Sequence, residues 1–199
     1  MDALLMAGGR GTRLKVKMEK PLLPILKKPM IDYTIHSLLN SKIENIYIAV
    51  SHYTKKTKRY LLEHYRDRRV KIIDTPGRGY INDINYSMRY FSEPFIVVPC
   101  DIPTLTSKVI DNILQGYNTL RSQYRDLEAL CVVVRRDSYP GSSTVVMGDY
   151  IPLGINILSP VNRAQVEKLY VLNEPLLNVN RLEDKEIAEA IIRDRRWEI

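Results

Sequence analysis

Cysteine is scarce: Cys100 and Cys131 are the only two. Both stand in apolar, strand-like runs without metal-ligand spacing, so the sequence predicts two reduced structural thiols and neither a zinc site nor a disulfide. Histidine is almost as rare. His36, His52 and His64 fall on predicted helices or their edges, and none has a partner pattern suited to acid–base work. No apolar run approaches the roughly 18 residues of a membrane span. The chain opens on a strand instead of a basic region, apolar segment and cleavage site, so a soluble, cytoplasmic protein without a membrane partner is expected. Low-complexity tracts and internal repeats are lacking, which predicts little disorder beyond the ends.

The chain has 199 residues, 45% of them hydrophobic and 27% charged, which suits one domain spanning 1–199 with a core that needs no disulfide. A run Ala3-Leu4-Leu5-Met6-Ala7 feeds into Gly8-Gly9-Arg10-Gly11-Thr12-Arg13 and then Glu19-Lys20-Pro21-Leu22. This is the pattern of a strand, a phosphate loop and a cationic clamp. Three glycines in four positions allow positive φ and let backbone N–H groups approach an anion. Arg13 adds a planar fork for phosphate oxygens, and Lys20 adds a compact charge on a flexible stem. Two generic motifs are excluded. Gly11-Thr12-Arg13 does not complete a Walker A loop, and Leu14 stands where the third glycine of a Rossmann fingerprint belongs.

The net charge of +7 points to anionic partners. Its basic clusters are dispersed: Lys15 to Lys20, Lys27-Lys28, Lys55 to Arg59, Arg66 to Lys71, and Arg193 to Arg196. None forms a contiguous stripe interleaved with stacking aromatics, so nucleic acid is not the expected partner. A nucleoside triphosphate accounts for the N-terminal cluster, and the middle clusters suit solvated helix faces.

Beyond the loop the chain alternates. Pro29 opens a helix carrying Ile31, Ile35, Leu38 and Leu39, and residues 45–50 form a strand. A helix is expected within Ser51 to Arg69, with Thr54 as its cap and Tyr60, Leu61, Leu62 and Tyr65 as its apolar face; a strand follows at Val70 to Asp74. A Pro/Gly loop, Thr75 to Tyr80, precedes a helix with Ile81, Ile84, Met88 and Phe91. The strand ending at Asp101, the helix Ser107 to Leu120, the strand Glu128 to Arg135 and the excursion Ser138 to Asp149 come next. The segment Ile151 to Pro160, the strand Leu169 to Leu172, a final helix after Asn180 and a basic tail, Arg193 to Trp197, complete the chain. Alternation of this kind predicts an α/β fold with a mostly parallel sheet and right-handed crossovers.

In such sheets ligands bind at the carboxyl ends of strands. The Thr75 to Tyr80 loop therefore reads either as a base-reading loop facing the Gly8 to Arg13 crevice or as a plain turn. Asp101, at the carboxyl end of an apolar strand and separated from the next helix, reads as a Mg²⁺ ligand, because that ion needs only one or two carboxylates beside substrate phosphates. Gly154 within an apolar run implies either a bulge or close approach by a ligand or another backbone. Either Asn178 or Asn180 reads as bringing an amide oxygen to the metal or phosphates, and Asn180 reads alternatively as a cap for the last helix.

The pattern Leu-x-Ala-Gly-Gly-x-Gly-Thr-Arg, followed by Lys-Pro-Leu, resembles the signature of the nucleotidyltransferase superfamily. Thr-x-Gly-x-Gly-Tyr-Ile-x-Asp from Thr75 and Pro-x-Gly-Ile-Asn-x-x-Ser-Pro from Pro152 resemble the archaeal guanylyltransferases that act on adenosylcobinamide phosphate. The resemblance implies a Rossmann-like three-layer sandwich of the nucleotide-diphospho-sugar transferase type. It also implies GTP, Mg²⁺ at Asp101, and a corrinoid acceptor bordered by the Ser138 to Asp149 excursion. Gly8, Gly9, Gly11 and Thr12 with Arg13 would hold the β and γ phosphates and Lys20 the α-phosphate. Thr75, Gly77, Gly79 and Tyr80 would read the base, with Asp83 beside them. Molybdenum-cofactor guanylyltransferases, sugar-phosphate nucleotidyltransferases and a non-catalytic nucleotide sensor are the alternatives, and a homodimer is one open oligomeric state.

Overall fold

The computed structural model describes residues 1–14 and 16–195, without the side chains of Arg13 and Arg195. The strands are β1 (Ala3–Met6), β2 (Pro24–Ile25), β3 (Lys28–Pro29), β4 (Ile46–Val50), β5 (Val70–Asp74), β6 (Phe95–Pro99), β7 (Ala129–Arg135), β8 (Tyr150–Leu158) and β9 (Glu167–Leu172). The helices are α1 (Met30–Leu39), α2 (Lys55–His64), α3 (Tyr80–Ser87), α4 (Ser107–Gln123) and α5 (Leu182–Arg195).

Seven strands make one sheet in the order β5-β4-β1-β6-β8-β7-β9. Each pairing within it is parallel except those of β8 with β6 and β7. β1 lies between two parallel neighbours and all four of its residues are buried. That explains its unbroken apolar sequence, since a strand covered on both faces has no polar side to present. β8 behaves differently. Ile151, Leu153, Ile155 and Ile157 are buried while the residues between them are only partly so, the alternation of a strand with one covered face.

The two sides of the sheet carry separate cores. Leu5, Ile48, Ile96 and Val98 pack with Ile31 and Ile35 of α1, Leu61 of α2, and Ile110 and Ile113 of α4. Leu4, Met6 and Val97 face the other way, onto Ile84 of α3 and onto Met88. Helices on both faces make the three layers. Each fully buried Leu or Ile of this kind contributes about 1.5–3 kcal/mol. A third cluster joins α5, through Ala188 and Ile187, to Leu14, Leu23 and Ile25, and so ties the C-terminal helix to the chain beyond the glycine loop.

Several local expectations change. Leu62 and Ile81 are largely exposed, 60% and 65%. α2 buries Thr57 and Leu61, and α3 buries Asp83, Ile84 and Ser87, so each presents a narrower inner stripe than its apolar residues suggest. Thr54 precedes α2 but its hydroxyl serves the Ser51 turn and not the helix. Arg193 belongs to α5 instead of a tail, while Arg196 and Trp197 lie outside the described residues.

The strand order reverses between β1 and β6: the chain leaves β1 for β4 and β5 on one side and later returns to β6 on the other. A crevice opens at such a point outside the carboxyl ends of the strands. Both the glycine loop and Asp101 emerge there.

Candidate functional site

A cleft of about 800 Å³ lies over the carboxyl ends of β1 and β6. It brings together Gly8, Gly9, Gly11, Thr12, Lys20, Gly77, Gly79, Tyr80, Asp101, Gly154, Asn178 and Asn180. Thr75 is not on its wall. The Thr75 hydroxyl is buried and donates to the Val50 carbonyl at 3.0 Å, which anchors the start of its loop to β4. The side chain of Arg13 lies outside the described residues.

The glycine loop is built around close approach. Gly11 has φ +65°, and a Cβ placed there would stand 2.9 Å from the Cβ of Lys20. Gly8 packs against Ser51, whose hydroxyl donates to the Gly8 carbonyl at 2.6 Å. Gly9 is open, with nothing within 4 Å of the position its Cβ would take.

Lys20 leads to a compact polar group. Its Nζ donates to Asp101 Oδ2 at 2.5 Å and to Asn180 Oδ1 at 3.0 Å. Asn178 Nδ2 donates to Asp101 Oδ1 at 3.0 Å and to the Leu153 carbonyl at 3.2 Å. Lys20 and Asp101 side chains are each 16% exposed, enough shelter for their attraction to exceed that of a surface pair. Both asparagines therefore join Asp101, one through its amide nitrogen and the other through Lys20. Asn180 does not cap α5 with its side chain. Asp184, within the first turn of α5, instead reaches back to accept the Asn180 and Arg181 N–H groups, both at 2.9 Å.

The opposite wall is the Gly77 to Tyr80 loop. Gly77 and Gly79 take φ +69° and +107°, and Asp83 Oδ1 accepts the N–H groups of Gly77 and Arg78 at 3.0 and 3.2 Å. Asp83 thus fixes the loop from below. Tyr80 donates its hydroxyl to the Gly154 carbonyl at 2.7 Å, linking α3 to β8. Removal of water around that hydroxyl raises the phenol pKa, with the Asp101 charge adding to the effect. Gly154 follows the bulge reading: the β7–β8 register shifts beside it and its φ is +74°, while the side chains of Pro99 and Tyr80 stand at ordinary contact distance, 3.5 and 3.6 Å, from the position a Cβ would take.

Sequence reasoning missed several lining residues. The Arg10 guanidinium lies 4.4 Å from the centroid of the Tyr53 ring and also hydrogen-bonds its hydroxyl. Tyr139, whose hydroxyl accepts the Asn178 N–H at 3.2 Å, has its pKa pushed up to about 12, chiefly by burial. Ser143, Thr144 and Val145 line the cleft from the excursion, and Arg78 from the loop. The excursion was located by composition, but which of its side chains turn inward is fixed only by the tertiary fold. Cys100, under Asp101, has its thiol pushed up to about 12 by burial and by that carboxylate.

Among the described residues no three His, Cys, Asp or Glu side chains form a metal cage. Asp101 and the Asn180 amide oxygen are a donor set suited to an oxygen-preferring cation that takes most of its ligands from phosphates.

A doubly wound sheet, a glycine loop with positive φ and a lysine–aspartate pair at the switch point define a nucleotide-handling α/β protein. The chain belongs to the MobA-like NTP transferase domain family, whose model matches residues 3–189, and it is a nucleotidyltransferase. It is 42% identical over 194 residues to the adenosylcobinamide-phosphate guanylyltransferase of Methanocaldococcus jannaschii, covering 97% of this chain and 98% of that protein. The bifunctional protein GlmU of Acholeplasma laidlawii is 27% identical over 68% of this chain, and the match spans 31% of that longer protein. Among solved structures, HddC from Yersinia pseudotuberculosis superposes with a TM-score of 0.72 at 20% identity, covering 95% of this chain and 98% of that one. That likeness is one of fold. No helix among the described residues is long and apolar enough to cross a membrane.

Proposed function

We propose that the chain, acting as one domain over residues 1–199, transfers GMP from GTP to adenosylcobinamide phosphate and releases pyrophosphate. An oxygen of the acceptor phosphate attacks the α-phosphorus in line. The bond to the bridging oxygen of the β-phosphate breaks, pyrophosphate carries away the electron pair, and a new phosphoanhydride joins GMP to the acceptor. No protein nucleophile is needed, so the chain contributes positioning and charge neutralisation.

The grouping of Lys20, Asp101, Asn178 and Asn180 at the switch point carries this reading. Backbone N–H groups of Gly8, Gly9 and Gly11, with Thr12 and Arg13, hold the β and γ phosphates. Lys20 turns its ammonium from Asp101 to the α-phosphate, where negative charge grows. Asp101 and substrate phosphates would hold Mg²⁺, which supplies further neutralisation of the leaving pyrophosphate. The base lies against the Gly77 to Tyr80 loop, whose backbone donors and acceptors suit the guanine edge while Asp83 fixes their directions. The corrinoid meets the wall formed by Tyr139, Ser143 to Val145 and Gly154. Similarity to the Methanocaldococcus jannaschii enzyme along nearly the full chain supports this acceptor.

The test offers α-labelled GTP with adenosylcobinamide phosphate, molybdopterin and several sugar 1-phosphates in parallel. Label is expected in the corrinoid product alone. Transfer to molybdopterin or a sugar phosphate, and none to the corrinoid, would overturn the acceptor while leaving the nucleotidyltransferase.

A further inference from the structure

We propose that Glu19 is a positioning residue for Lys20, an inference that rests on the phosphate-binding role given to that lysine. Glu19 immediately precedes Lys20 at the entry to the single turn Lys20–Leu22. Its carboxylate does not line the cleft. It reaches instead to the N-terminus of α2, where Oε1 accepts the Lys56 N–H at 2.9 Å. Oε2 accepts both the Thr57 N–H at 2.6 Å and the Thr57 hydroxyl at 2.7 Å.

Two further features give this contact weight. α2 has no acidic residue in its first turn and no cap from the Thr54 side chain, so Glu19 supplies from outside both the acceptor and the negative charge that a helix N-terminus favours. On the opposite side, Gly11 presses so closely on Lys20 that even a methyl group there would collide with its Cβ. The Lys20 backbone is thus gripped between the phosphate loop and α2. A lysine has a long, rotamer-rich stem, so its ammonium is placed only as well as its Cα and its terminal partners allow. Asp101 and Asn180 fix the far end, and Glu19 fixes the near one. The helix gains a cap from the same contact, and the experiment must separate that benefit from the positioning of Lys20.

A double-mutant cycle on the full chain does so, with Glu19→Ala, Lys20→Ala and the pair compared by single-turnover transfer from labelled GTP, by calorimetric GTP binding and by thermal melting. Misplacing a reacting group by about 1 Å can cost on the order of 100-fold, so Glu19→Ala should lower kcat/KM by about 10- to 100-fold, mainly through kcat. In the Lys20→Ala background the same change should cost nothing further. Thr57→Ala, remote from the cleft, should give a smaller loss that also vanishes without Lys20, and it serves if Glu19→Ala folds poorly. Equal losses in both backgrounds would show that Glu19 only holds α2 and would overturn the inference. Near-normal turnover of Lys20→Ala would instead overturn the role given to Lys20 itself.

Discussion

Replacing Gly11 by alanine should damage both the fold and the chemistry, whereas the same change two residues earlier should spare the fold. At φ +65° a non-glycine residue costs about 1–2 kcal/mol through its Cβ. The new methyl would also stand 2.9 Å from Lys20 Cβ, where carbon atoms prefer roughly 3.5–4.0 Å. The obstacle is the root of the lysine and not its flexible end, so the Lys20 backbone must move by about 0.5–1 Å. Lys20 would then lose its aim at Asp101 and Asn180. Gly11→Ala should therefore melt about 2–8 °C lower, the range for a chain of this size, and lose about 100-fold in kcat/KM. Gly9→Ala meets nothing within 4 Å and has no positive φ. Its stability should stay within about 0.5 kcal/mol of the parent. Differential scanning calorimetry with pyrophosphate-release kinetics reads both quantities. Indistinguishable melting and turnover for the two variants would refute the packing argument.

The β2–β3 turn places Leu26 and Lys27 at φ 46° and 69°, so Lys27→Gly should relieve strain and raise stability by about 0.5–1 kcal/mol in chemical denaturation; a lower midpoint would contradict this. Burial holds Cys100 and Cys131 as thiols, with pKa values pushed to about 12 and 11, so at pH 8 neither should react with iodoacetamide until urea unfolds the chain. Rapid labelling of Cys100 in the native protein would contradict its environment. Calorimetry should find GTP bound at least about 100-fold more tightly than ATP, because donors and acceptors fixed by Asp83 are left unpaired by the wrong base. Equal affinities would remove the Gly77 to Tyr80 loop from base reading.

The N-terminal strand, its glycine loop, Lys20 and Asp101 were legible because each is encoded locally: an apolar run, a glycine cluster, and an acid where such a run ends. The reversal of β8 was not legible, because its segment reads as an apolar run interrupted by Gly154, and only its alternating burial in the fold sets it apart from β1. What escaped was encoded by distance in the chain. Nothing near Thr54 announces that its helix is capped by Glu19, 37 residues before the Lys56 amide that the carboxylate meets. Asn180 left two readings open, a helix cap or a site amide, and only the fold shows its amide oxygen accepting from Lys20. Thr75 carried a motif match but spends its hydroxyl on β4, and Tyr53 and Tyr139 reach the cleft from loops whose composition says little. Leu62 and Ile81 show the converse, apolar residues whose helix faces the fold leaves in water.

The central claim is that the Asp101 carboxylate, joined to Lys20 and the two asparagines, is where nucleotidyl transfer is supported. Single-turnover transfer from α-labelled GTP to adenosylcobinamide phosphate, compared between the parent and Asp101→Asn at limiting Mg²⁺, tests it most directly. The account predicts that labelled product forms about 100- to 1000-fold more slowly in the folded variant. Transfer at near-parental rate would contradict it.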